Sequence, residues 1–230
     1  MKKNAIKTAF LDTVPVLTGY VFLGFGFGIL MNQNGYGLGW SLTMSLLIYA
    51  GSMQYMAVSL LTGGASLLTT ALTTFVVNAR HLFYGISMVD AYKGAGKKKP
   101  YLIFALTDET YSLVSRDQIP EGISRHGYYF LVSVFDHIYW VTGTALGAAA
   151  GSVLNINFEG IDFVLTALFV TIFVEQWLST KAHFPAIIGV MSTLLCLVLF
   201  GSEVFLIPSM VLIALILTIS RKTGRRDTHD

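Results

Sequence analysis

The chain has 230 residues, of which 54% are hydrophobic and only 12% charged, with a formal net charge of +2 and a mean hydropathy of +0.65. Soluble domains carry about 25% charged residues, so this composition excludes a water-soluble globular protein and predicts an all-α integral membrane protein clothed by lipid. At roughly 20 residues per crossing, the length is taken up by about seven or eight helical segments. No separate soluble catalytic or nucleotide-binding domain is expected.

Eight apolar segments follow one another: 10–31, 40–62, 66–89, 101–115, 127–153, 161–179, 184–200 and 203–220. The first follows Lys2, Lys3 and Lys7, as a signal peptide would. It is longer than a secretory apolar core and no small-x-small site closes it, so it is expected to stay as a membrane helix. The second is interrupted by Ala50-Gly51-Ser52-Met53-Gln54, and a broken or re-entrant helix is expected near residues 50–64. A break would leave backbone amides at a half-helix N-terminus, able to hold an anionic group. An unbroken helix would use the same small residues for close packing.

The third segment carries Asn78, Arg80 and His81 at its centre, and the fourth, the shortest, holds Thr107-Asp108-Glu109-Thr110. The fifth contains Asp136-His137, then Gly143, Gly147 and Gly151 at intervals of four. These glycines, with Gly24 and Gly28 of the first segment, read as a helix-packing ridge. Gly24-Phe-Gly26-Phe-Gly28 is no dinucleotide loop, because no strand precedes it. Glu175-Gln176 and Asp12 lie toward the cytoplasmic ends of their segments, where long side chains reach water. Cys196, the only cysteine, sits in an apolar run. It excludes an intrachain disulfide and a cysteine-based metal site, and reads as a packing residue.

Lys and Arg placement sets orientation. Lys2, Lys3 and Lys7 at one end, and Arg221, Lys222, Arg225 and Arg226 at the other, put both termini in the cytoplasm. Arg116, Arg125 and Lys181 agree with a simple alternation from residue 116 onward, and the links at 32–39, 154–160 and 201–202 carry no Lys or Arg. Lys93, Lys97, Lys98 and Lys99 disagree if the first three segments all cross. A re-entrant early segment, with 101–115 along the interface, would remove the conflict. The organisation expected is one membrane domain over 1–220 with a basic cytoplasmic tail, 221–230. Asp12, Thr18 and Gly19 align with Asp136, Thr142 and Gly143, and Gln54 nearly so with Gln176. The alignment suggests repeat halves 8–115 and 127–220, as in many transporters; chance matching among apolar segments is the alternative.

An arginine at mid-membrane costs about 2.5–3.5 kcal/mol on insertion scales, and such residues face a bundle interior or a water-filled cavity. Arg80 therefore reads as a carboxylate clamp or a counter-charge for ion coupling, with a structural salt bridge as the plainer reading. Asp108 and Glu109 are candidates for its partner and for a proton-binding group. Asp136-His137 reads equally as a proton relay or as an interhelical hydrogen bond. Walker A, H-E-x-x-H and G-x-S-x-G motifs are absent, as is a basic aromatic surface for nucleic acid. No cofactor and no nucleic-acid partner are expected, and the energy source must be an ion gradient or a partner. An intramembrane enzyme lacks a nucleophile–base pair, and nothing resembles a channel filter.

Four pieces together resemble a known family. They are Pro15 with Gly19 and the glycine-rich end of the first segment, Tyr49-Ala-Gly-Ser-Met-Gln54, Asn78-Ala-Arg-His-Leu-Phe-Tyr-Gly85, and Thr107-Asp-Glu-Thr110. They resemble the AzlC-like family of branched-chain amino acid exporters, the azaleucine-resistance permeases, over nearly the whole chain. The resemblance implies the large permease subunit of an exporter of leucine, isoleucine and valine, with methionine as a further candidate. It also implies a separate small membrane partner of the AzlD type and a place in the cell membrane.

A zwitterionic apolar amino acid needs a cation or amide nest for its carboxylate, an acceptor for its ammonium and an apolar pocket. Arg80 and the stretch Gly51, Ser52, Gln54, with Asn78 and His81 beside them, are candidates for the first. Asp108, Glu109 or Asp136 would serve the second or bind a coupling proton. Phe22, Phe25, Phe27 and Met53 are expected to shape the third. The rival reading is a non-transporting scaffold or the membrane subunit of another complex.

Overall fold

The computed structural model describes residues 2–115, 119, 122–153, 166, 170, 173, 174, 177, 178, 183–201 and 205–226, and every regular element among them is helical. Glu175, Gln176, Lys181, Arg116, the link 154–160 and most of the sixth apolar segment lie outside the described residues. The chain forms two compact units, 1–166 and 167–230.

The first unit contains α1 (Lys2–Gln33), α2 (Leu38–Leu47), α3 (Gly51–Thr62), α4 (Leu67–Met88), a 3₁₀ turn (Gly96–Lys98), α5 (Lys99–Phe104), α6 (Asp108–Val114) and α7 (Arg125–Val153). Among the described residues, one helix, Ala5–Gln33, is by length and hydropathy sufficient to cross a bilayer, and shorter apolar helices lie at Leu38–Leu47, Phe184–Phe200 and Val211–Ser220. The helix α4, with 22 residues, and α7, with 29, are about 33 and 43 Å long at 1.5 Å per residue. Their lower hydropathy comes from the polar residues that build the site below.

Two apolar segments are each split into a pair of short helices. The stretch 40–62 breaks at Ile48–Ala50, between α2 and α3, where Tyr49 takes a left-handed φ of 44°. A bulky residue rarely adopts that conformation, and here it turns the chain at the point that the small residues of 50–52 suggest. Segment 101–115, expected as one element, is likewise two: α5 ends at Phe104 and α6 begins at Asp108. Thr107 caps α6 by accepting from the Thr110 amide at 3.3 Å. Asp108 and Glu109 occupy the first turn, where the helix dipole favours negative charge.

Helices α1 and α7 form the frame, and glycine sets their separation. A Cβ at Gly24 would lie 2.7 Å from the Trp140 carbonyl oxygen, and one at Gly143 2.9 Å from the Val21 Cα. At Gly28 it would strike the Thr144 carbonyl, and at Gly147 the Phe25 carbonyl. The ridge read from the four-residue spacing is therefore a backbone-to-backbone seam. Polar side chains cross it too: the Tyr128 hydroxyl donates to Asp12 Oδ2 at 2.6 Å, and Thr13 Oγ1 meets the Tyr139 hydroxyl at 3.1 Å. One end of the unit is closed by a core of Met88, Tyr92, Leu102, Leu106, Val114, Tyr129 and Val132. The opposite character appears on α4, where Leu67, Leu68, Phe75 and Ile86 are largely exposed. A continuous apolar exterior of this kind suits lipid and not water.

The second unit holds α8 (Phe184–Phe200) and α9 (Leu206–Arg226). Gly201 ends α8 with a φ of 76°, the left-handed closure that glycine allows. Cys196 is buried in α8, in agreement with its reading as a packing residue. The helix α9 continues to Arg226, so the first part of the basic tail is helical.

The seam gives a graded expectation. Gly147→Ala should destabilise by about 1–3 kcal/mol or more, because backbone and not a side-chain tip blocks the added methyl. Gly19→Ala, which meets nothing within 4 Å, should be neutral or stabilising by up to about 1 kcal/mol. Thermal unfolding in lipid nanodiscs measures both. Equal effects at the two positions would refute a backbone contact at Gly147.

Candidate functional site

The break between α2 and α3 frees backbone groups, and α7 satisfies them. The Tyr49 amide bonds back to Met44 at 3.3 Å, which leaves the Ser45 carbonyl for a side chain. His137 Nε2 reaches it at 3.2 Å, and the Tyr101 hydroxyl lies 3.1 Å from His137 Nδ1. A carbonyl only accepts, so Nε2 carries the hydrogen, and in the neutral ring Nδ1 then accepts from Tyr101. The ring of Tyr49 stacks on His137 at 4.2 Å. Gln54 closes the other side: its Nε2 donates to Ser45 Oγ at 3.1 Å, and its Oε1 accepts from Trp140 Nε1 at 3.0 Å. Ser45 Oγ also meets Thr144 Oγ1 at 2.9 Å. Gly51 lets this happen, since a Cβ there would lie 3.1 Å from the Trp140 ring.

Arg80 bridges the two breaks. Its Nη2 donates to Ser52 Oγ in the first turn of α3. Its Nη1 pairs with Asp108 Oδ2 at 2.6 Å, in the first turn of α6. His81 Nε2 stands 4.0 Å from the other Asp108 oxygen, beyond hydrogen-bond reach. The pair is partly screened from solvent, with side chains 27% and 22% exposed.

Beside this pair is a cavity of about 470 Å³, lined by Ile48, Tyr49 and Ala50 of the first break, by Asn78, His81, Leu82, Gly85 and Val89 along one face of α4 and its end, and by Ile103, Phe104 and Leu106 at the second. Tyr92 and Lys99 complete the lining. The volume lies in the range of small-molecule sites. One end offers polar groups: the Asn78 amide oxygen is buried with no hydrogen-bond partner. The rest is mostly aliphatic and aromatic, with His81 and Lys99 as the other ionisable nitrogen groups on the wall.

A second polar cluster runs deeper. Tyr20 of α1 donates to Glu109 Oε2 at 2.7 Å, and its hydroxyl lies 2.6 Å from Thr107 Oγ1. Thr107 Oγ1 is 3.1 Å from Thr110 Oγ1, which donates to Asp136 Oδ2 at 2.7 Å. Asp136 is fully buried, and its Oδ1 has no partner.

The residues singled out from the sequence thus divide into three groups. Asn78 and His81 line the cavity, and Arg80 next to them in sequence joins Ser52 and Asp108. Gly51 and Gln54 support the break, and Gln54 is fully buried with both ends of its amide engaged. Glu109 and Asp136 belong to the deeper cluster. The apolar wall differs from expectation. Phe22 is 64% exposed, Phe27 packs against Tyr55 and Trp140, Met53 is buried, and neither these nor Phe25 line the cavity. The wall comes from α4 and α5, because the first-segment aromatics are committed to the α1–α7 frame or face outward. Tyr20, Ser45, Tyr101, Thr107, Trp140 and Thr144 were not singled out as site residues. Thr107 stands in the Thr107-Asp-Glu-Thr110 stretch, the others are single polar groups in apolar segments, and only the tertiary pairing reveals their roles.

Comparison with known proteins gives consistent results. The AzlC protein family matches residues 15–154. The chain is 43% identical over 95% of its length to the branched-chain amino acid transport protein AzlC of Bacillus subtilis, covering 86% of that protein. It is 43% identical over 94% of its length to an uncharacterized membrane protein of Haemophilus influenzae, covering 89% of it. The inner membrane protein YgaZ of Escherichia coli is 29% identical over 70% of the chain and 68% of that protein. No solved structure matches.

The stitching of the break is testable apart from any activity. Gln54→Met leaves Trp140 Nε1 without an acceptor and Ser45 Oγ with Thr144 alone, at a cost of about 1–3 kcal/mol. With Trp140→Phe the double variant should fall short of the sum by about 0.5–3 kcal/mol, read by thermal unfolding. Strict additivity would show that the pair is not energetically coupled.

Proposed function

The chain belongs to the AzlC family, and from that premise we propose that it is a secondary transporter that exports branched-chain amino acids through the cavity beside Arg80. Leucine, isoleucine and valine are the substrates proposed, with methionine a further candidate. The protein would lie in the cell membrane as a multi-pass protein of about seven or eight segments with both termini cytoplasmic. It would be coupled to proton exchange and work with a small AzlD-type membrane partner. The name of the Bacillus subtilis relative supports the substrate class.

One observation carries the reading: the Arg80–Asp108 pair joins two helix interruptions, and residues of both interruptions, with the Arg80 neighbour His81, line a largely apolar cavity. Interrupted helices that expose polar backbone at a central cavity are how transporters bind small ions and zwitterions inside a membrane. A zwitterion can enter such a pair without changing the buried charge. Its carboxylate goes to the Arg80 guanidinium and the first-turn amides of α3, while its ammonium goes to Asp108 and the Asn78 amide oxygen. The aliphatic side chain then lies against Leu82, Ile103, Phe104 and Leu106. A planar guanidinium holds Ser52 and a carboxylate at once, which a lysine ammonium does less well.

Cells expressing the chain with its small partner, loaded with a valine- or leucine-containing dipeptide, should release the free amino acid. Arg80→Lys should cut release by about tenfold, equivalent to roughly 1.4 kcal/mol of lost interaction. Asp108→Asn should do the same, since it leaves the arginine charge uncompensated. Undiminished release by Arg80→Lys at equal expression would favour the scaffold reading. A pH gradient imposed across vesicles should drive valine movement, and indifference to it would reject coupling to protons.

A further inference from the structure

The deeper cluster closes a count. Four hydrogen-bond links join five oxygens in a row: Glu109 Oε2 to the Tyr20 hydroxyl at 2.7 Å, Tyr20 to Thr107 at 2.6 Å, Thr107 to Thr110 at 3.1 Å, and Thr110 to Asp136 Oδ2 at 2.7 Å. Each link needs one hydrogen, and the three hydroxyls supply three. With both acids ionised, one link would bring two lone pairs face to face. A single additional proton, on either acid, fills all four.

We propose that Glu109 and Asp136 share this one proton through a reversible wire made of Tyr20, Thr107 and Thr110. With the proton on Glu109, the acid O–H donates to Tyr20, Tyr20 to Thr107, Thr107 to Thr110, and Thr110 to the Asp136 carboxylate. With the proton on Asp136, every donor reverses: Asp136 donates to Thr110, Thr110 to Thr107, Thr107 to Tyr20, and Tyr20 to the Glu109 carboxylate. Passage between the two states breaks four O–H bonds and makes four, with no change in the number of protons. The Thr110 amide donates to Thr107 in both states, so the cap of α6 is indifferent to the direction.

The surroundings suit a wire and not a static contact. Tyr20 is 4% exposed, while Thr110 and Asp136 are fully buried, so bulk water cannot short-circuit the transfer. The charged and titratable groups facing Glu109 are Asp108, Arg80, Tyr20 and Asp136. Those facing Asp136 are Glu109, Tyr20, Tyr49 and Tyr101, with His137 adjacent in sequence. Arg80 is already paired with Asp108, so two carboxylates in a low-dielectric interior share little cationic compensation, and one of them keeps a proton. At one end, Glu109 directly follows Asp108, the partner of Arg80. At the other, Asp136 Oδ1 has no partner, and neither has the buried hydroxyl of Ser133 one turn earlier on α7. In the proposal, the proton leaves the wire from these unpartnered oxygens. The wire thus gives the proton coupling proposed above a route distinct from the Arg80–Asp108 pair, and in that respect it rests on that reading.

Two measurements on the full chain in lipid vesicles, with its small partner, decide it. Infrared spectroscopy at neutral pH should show a protonated carboxylic-acid band that is lost in the Glu109→Gln, Asp136→Asn double variant and shifted by Tyr20→Phe. No such band would overturn the shared proton. In transport, Tyr20→Phe should reduce pH-gradient-driven valine movement by roughly a hundredfold, the scale on which a positioned proton-transfer group acts. Valine–valine exchange without a gradient, which needs no net proton passage, should persist in Tyr20→Phe, and Thr107→Ser, which keeps both the hydroxyl and the cap of α6, should keep coupling. Full gradient-driven transport in Tyr20→Phe would overturn the wire. If the unaltered protein ignores the gradient, the coupling reading fails instead, and the infrared band alone decides whether the proton is shared.

Discussion

A guanidinium held between two interrupted helices is the constraint around which the first unit is organised. Arg80 reaches Ser52 at the start of α3 and Asp108 at the start of α6, and both contacts exist only because each apolar segment stops and restarts. A continuous helix through residue 49 would point Ser52 elsewhere. A continuous helix through 105–107 would remove the first-turn position that makes Asp108 favourable. The charge is too costly to face lipid, so the two breaks and the cavity between them exist together or not at all.

The breaks themselves would be soft without a rigid partner, and α7 supplies it. Its glycines bring its backbone against that of α1. His137, Trp140 and Thr144, on a neighbouring face, then take up the carbonyl, amide and hydroxyl groups of the α2–α3 break. One helix thus combines a close-packed seam with a polar ladder. A transporter needs this division: a fixed frame, and beside it short helices whose few contacts can be exchanged when a solute enters.

Hydropathy alone made α1, α4, α7 and α8 legible, because long apolar runs admit few other readings. The first break was legible from Ala50-Gly51-Ser52, small residues where lipid-facing ones belong. The glycine seam was legible from its four-residue spacing. Arg80 and its acidic partner could be named as a set, since an intramembrane charge demands compensation, but not which of Asp108 and Glu109 would take it. The second break was hidden: Ala105-Leu106-Thr107 carries no glycine or proline, and the interruption depends on Thr107 capping α6. The cavity wall was misplaced because aromatic content does not reveal direction, and Phe22 and Phe27 point away from it. Tyr20 was out of reach for the same reason. A tyrosine in an apolar helix reads as filler until a carboxylate from another helix is set against its hydroxyl.

The account stands on the cavity beside Arg80 being the route of the solute. With Cys196 replaced by serine, a single cysteine in place of Ala50 puts a thiol at the first break, on the cavity wall. The rate at which that thiol reacts with a small water-soluble maleimide, with and without saturating leucine, is the direct measurement. Reaction that leucine slows several-fold, while a cysteine in place of the outward-facing Leu72 is unaffected, is the result predicted. A thiol at position 50 that never reacts, or reacts at the same rate whatever the leucine concentration, would contradict the account.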